Sequence, residues 1–163
     1  MRNEKGNIFI TCIIFIAIAV TIFIFIIAIF LSHVNSVLYN VKLDMYSMNK
    51  SAVLAVNKNI ANIDYFSYNK KDYEKEFIKL LKQNYDLDDD LRNPEKLITS
   101  VEVKEYTIYE SGKKDSYTNK RCDDRVIHTV LKIKVKPIIL RSFFENIFTF
   151  TVHEDVNMNM MKT

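Results

Sequence analysis

Residues 8–31 read IFITCIIFIAIAVTIFIFIIAIFL, a run without a charge, a proline or a glycine. At about 1.5 Å per residue, a helix of this length is roughly 36 Å long, enough to cross a hydrocarbon core of about 30 Å. Helix is the form expected there, because lipid offers no partner for a free backbone N–H or C=O. Arg2 and Lys5 precede the run, with Glu4 between them, and no basic residue follows it until Lys42. The basic flank is expected to stay in the cytoplasm, which puts residues 32–163 on the far side. A secretory signal has an apolar region of only about 7–15 residues and a small-residue cleavage site, whereas IFLSHVNS has no A-x-A pattern. The run therefore reads as an uncleaved single-pass anchor. It divides the chain into a cytoplasmic tail (1–7), a transmembrane helix (8–31) and an extracytoplasmic domain (32–163).

The helical signal continues past Leu31. Val34, Leu38, Val41, Met45, Met48, Ala52 and Ala55 recur at spacings of three and four, an apolar stripe along one face. No glycine or proline interrupts the chain between Gly6 and Pro94. One long helix is expected from Ile8 to about Asn62. Traced backwards, the stripe passes through Ala28, Ile24, Thr21 and Ala17. Ala17 and Thr21 form a small-xxx-small pair that would let a second helix approach in lipid, although such residues can equally face lipid alone.

Beyond this helix, DYFSYN (64–69) is a link, and residues 71–84 form a second helix with Tyr73, Phe77, Leu80 and Leu81 on one face. YDLDDDLRNP is a loop closed by Pro94. Strands are expected at about 97–109, 126–136 and 147–156. In the first, the alternation slips near Glu105, which predicts a bulge before Tyr106 and Ile108. In the second, Ile127, Leu131, Ile133 and Val135 face one way, while Lys132, Lys134 and Lys136 face the other. In the third, Phe148, Phe150 and Val152 share a side. Residues 110–125 form a long polar hairpin connection around Gly112, and 138–146 a short crossover. The fold class is α+β: a long helix and one extra helix on a small, mostly antiparallel three-stranded sheet.

Composition narrows the functional classes. Of 23 basic and 20 acidic residues, removing Arg2, Lys5 and Glu4 leaves 21 and 19 beyond the membrane run. That near balance argues against nucleic acid as a partner. The cysteines, Cys12 in the apolar run and Cys122 in the outer domain, are not placed to bridge each other. With two glycines in the chain there is no phosphate-cradling loop.

Asp86, Asp88 and Asp90 alternate as calcium ligands do. An EF-hand, however, would need glycine next and a glutamate at its twelfth position, where Leu91 and Leu97 stand. Cys122 and His128 could make a nucleophile and base, but nothing in the sequence orients them, and His128 is expected on the lysine-bearing face. His33 and His153 are isolated in the chain. The reading assigns no catalytic residue, no metal ligand and no cofactor.

Glu4-Lys5-Gly6-Asn7 runs straight into the apolar helix, the helix continues uninterrupted, and the chain ends LKIKVKPIILRSFFENIFTFTVHEDVNMN. In this layout the chain resembles the TadE/TadG-like proteins of tight-adherence (Flp-type) pilus systems. The resemblance implies a non-enzymatic part in a bacterial pilus or secretion assembly, with membrane lipid, other envelope proteins and a second copy as the partners to expect. It also implies prepilin-type processing after Gly6, leaving Asn7 first. The chain departs from the pilin pattern in having Thr11 where pilin-like helices carry a glutamate. The alternatives are a divisome-type coiled-coil scaffold, and an anchored extracytoplasmic sensor or ligand-binding domain.

Overall fold

The computed structural model describes residues 2–57, 70–136 and 148–158, with side chains from Ile8 onward. The order is α1 (Arg2–Asn57), α2 (Lys70–Tyr85), β1 (Ile98–Tyr109), β2 (Val126–Val135) and β3 (Phe148–Asn157). The class is α+β, as expected. The expected continuation of the first helix to about Asn62, the 64–69 link, the 138–146 crossover and the end of the chain beyond Met158 lie outside the described residues.

The chain divides into two compact units, Met1–Val37 and Leu38–Thr163. In the first, the apolar side chains of 8–31 are almost all exposed, Phe15 to 75% and Phe9 to 68%. This part of α1 is apolar all round and could span a membrane by length and composition. Gly6 and Asn7 fall in its first turns. Thr21 donates its hydroxyl to the Ala17 carbonyl at 2.8 Å, so within the helix this small pair is bonded to itself. Ala28 is exposed, as are its neighbours on the helix surface.

In the second unit the sheet has the order β1-β2-β3, antiparallel throughout. One face of β2 (Ile127, Thr129, Leu131, Ile133 and Val135) is wholly buried. Opposite these stand Val101, Val103 and Tyr106 of β1, and Val152 and Val156 of β3. The register between β1 and β2 shifts between Val103 and Glu105. This bulge absorbs the slip in the alternation: Val101 and Val103 precede it, and Tyr106 follows it on the same side.

The helices complete the core. Val41, Met45, Met48 and Ala52 of the apolar stripe are buried and Leu38 is half-buried; Val34, also buried, belongs to the first unit and is not counted in this core. Asn49, fully buried, donates from Nδ2 to Thr129 Oγ1 at 3.1 Å, tying α1 to the central strand. Tyr73, Phe77 and Leu81 of α2 are buried, with the Phe77 ring centroid 5.3 Å from that of Tyr106. Leu80 is only half-buried, because it sits at the margin of the helix contact beside Ser47 and Ser51. The Tyr85 hydroxyl donates to Asp44 Oδ2 at 2.9 Å.

Candidate functional site

The other face of the sheet differs from the sequence expectation. His128 has the same strand parity as Lys132 and Lys134, yet it is fully buried. The reason is the 110–125 connection, which folds back over this end of the sheet. Gly112 takes φ +81°, a left-handed conformation that glycine adopts at little cost. Its N–H reaches the Cys122 carbonyl at 2.8 Å, and the Cys122 N–H returns to Lys113 at 2.9 Å. The Tyr109 hydroxyl donates to Glu105 Oε1 and accepts from the Ser116 N–H, both at 3.2 Å. Arg125 pairs with Glu110 at 2.6 Å.

This fold-back delivers Asp115 to the sheet. Asp115 accepts the N–H of Tyr117 at 2.7 Å and that of Thr118 at 3.1 Å, together with the Thr118 hydroxyl. Burial pushes its carboxyl up, but these three bonds and the neighbouring His128 outweigh burial and hold it below the usual carboxylate value. The aspartate is thus kept as an anion although only 2% of it is exposed.

Three further groups meet it. His128 stands directly opposite Asp155 in the β2–β3 ladder, and His153, two residues before Asp155, points to the same side. His128 Nδ1 lies 2.8 Å from Asp155 Oδ1, 3.3 Å from Asp115 Oδ1 and 3.2 Å from His153 Nε2. His153 Nε2 lies 3.0 Å from Asp155 Oδ1 and 3.8 Å from Asp115 Oδ2. One ligand-type atom from each of the four residues falls within 4.8 Å of all the others. The Tyr117 ring stacks on His153 at 4.6 Å, and Tyr109 meets His128 edge-on at 5.3 Å, so both imidazoles are held in place. Glu105 Oε2 is 3.8 Å from the other nitrogen of His128, Nε2, which is buried without a hydrogen-bond partner among the described residues.

Two imidazole nitrogens carry at most one proton each, and the carboxylates, when ionised, only accept. The cluster therefore suits either shared protons or a single cation. The sequence reading left His128 and His153 apart and assigned no metal ligand. What it missed was Asp115, and the signal it passed over was His153-x-Asp155, two ligand-type residues on one face of a strand.

The other residues singled out lie elsewhere. Asp88 Oδ1 accepts the N–H groups of Asp90 and Arg92, both at 2.9 Å, while Asp86 pairs with Lys96 at 3.2 Å. The acidic loop thus ties its own backbone together. Cys122 is buried; burial first, then the charges of Asp155, Asp115 and Asp123, push its thiol up, away from the thiolate a nucleophile needs. His33 lies on α1 in the first unit. Comparison with protein-family models, with curated proteins and with solved structures finds no match.

Proposed function

We infer that the protein is a membrane-anchored, non-enzymatic component of a bacterial envelope assembly of the pilus or secretion type. The observation that carries this reading is that the apolar side chains of 8–31 are almost all exposed and none is buried. Keeping each Ile or Phe in water rather than in an apolar medium costs about 1.5–3 kcal/mol, and this helix is apolar on every side. Lipid covers it at no such cost. The basic residues before the run support an inside N-terminus and an outside domain. The TadE/TadG-like layout supports the assembly role, with lipid, other envelope proteins and a second copy as its contacts.

The same long helix then supplies a wall of the second unit's core. This speaks against a coiled-coil scaffold, since the buried part of the stripe is covered by the chain's own sheet and helix. The experiment is affinity purification from membranes in mild detergent after a high-pH carbonate wash. Retention in the washed membranes and co-purification of further envelope proteins are expected. A protein released by carbonate, or one that stays monomeric and partner-free in detergent, contradicts the reading.

A further inference from the structure

We propose that Asp115, His128, His153 and Asp155 form a binding site for one divalent transition-metal ion, best matched by Zn(II). A tetrahedral ion with bonds of about 2.0–2.1 Å sets its ligand atoms about 3.3–3.4 Å apart. Among His128 Nδ1, His153 Nε2 and Asp155 Oδ1 the three separations run from 2.8 to 3.2 Å. Asp115 stands 3.3 Å from His128 through Oδ1 and 3.8 Å from His153 through Oδ2, and one ligand atom from each of the four lies within 4.8 Å of the rest, so small side-chain movements bring the set to that value. Two imidazole nitrogens and two carboxylate oxygens are a borderline-soft set that suits zinc, whereas calcium and magnesium prefer more oxygens and higher coordination.

The surroundings are those of a metal site. Asp115 is oriented by two backbone N–H groups and a hydroxyl, and His153 by the stacked Tyr117. His128 turns its second nitrogen toward Glu105, itself held by Tyr109 and Ser116. At 3.8 Å that carboxylate is within a small side-chain movement of the hydrogen bond that orients a metal-bound imidazole. The Asp155 side chain, 32% exposed, gives the ion its way in; His128 and Asp115 are closed to water.

Four protein ligands leave no open position for substrate, so the ion is structural. It pins the 110–125 connection to β2 and β3 and leaves the non-enzymatic reading intact.

The test uses the full chain in detergent, stripped with a chelator and titrated with zinc chloride by calorimetry. One ion per chain is expected, with a rise in Tm of about 5 °C or more at saturation, and no rise with calcium or magnesium. Cobalt(II) should give the visible absorption of a four-coordinate ion, a readout that needs no variant. His153→Ala and Asp155→Asn, at the two more exposed positions, should each weaken zinc at least 100-fold while Phe77–Tyr106 packing, read by near-ultraviolet circular dichroism, persists. Absence of 1:1 binding overturns the site, as does an octahedral cobalt spectrum or zinc affinity unchanged in both variants.

Discussion

His128 and Asp155 face each other across the β2–β3 ladder, with Nδ1 2.8 Å from Oδ1, and the imidazole between them and Asp115 is fully buried. Removing it takes away the closer of the two imidazoles that lie between the buried Asp115 carboxylate and Asp155, leaving His153 Nε2 3.8 Å from Asp115. His128→Ala should therefore destabilise the chelated domain on the order of 3 kcal/mol. Asp115→Asn combined with His128→Ala should cost less than the sum of the two, because one lost interaction is counted in both. Denaturant titration in detergent checks this.

Asn49 and Thr129 are both fully buried, and each side chain donates to the other, at 3.1 and 3.3 Å. Asn49→Ala strands the threonine hydroxyl and should cost about 1–3 kcal/mol. Adding Thr129→Val should return part of that loss, since the stranded group is then gone. A double-mutant cycle by chemical denaturation measures the coupling.

Tyr106 is a buried tyrosine whose hydroxyl has no hydrogen-bond partner among the described residues. Burial, followed by the charge of Glu74, pushes its ionisation far above the usual tyrosine value. Tyr106→Phe keeps the ring against Phe77 and removes the unpaired group, so it should be neutral or stabilising by about 1 kcal/mol. Phe77→Ala at the same contact should cost about 3–5 kcal/mol. Opposite signs in paired Tm measurements are the expected result.

Cys122 is buried and its thiol is pushed up, so less of it is thiolate near neutral pH than in an unfolded chain. Iodoacetamide should modify it at least tenfold more slowly in the folded protein than in denaturant. Equal rates would place the 110–125 connection open in solution.

Much of this architecture is legible in the residues. Unbroken apolar spacing marks α1, Tyr73, Phe77 and Leu81 mark α2, and the slip at Glu105 marks the bulge in β1. Each is a local period, and local periods survive folding when one face is buried. The His/Asp cluster is not local. It depends on a polar connection with no period of its own, turned by Gly112 and by the Asp115–Thr118 turn, and on strand pairing that sets His128 against Asp155. Alternation alone puts His128 on the lysine-bearing face; that parity holds, and the covering loop decides the burial. His153 and Asp155, two apart on one strand, carried the only sequence trace of it.

The proposed function requires a lipid-held helix and puts residues 38–163 outside the cytoplasmic membrane. Lys113 is exposed on the 110–125 connection, so Lys113→Cys in a Cys12→Ser, Cys122→Ser background reports its side directly. The measurement is labelling of intact protoplasts with a membrane-impermeant maleimide, compared with lysed ones. Full labelling before lysis is predicted. Labelling that appears only after lysis contradicts the orientation and the assembly role built on it.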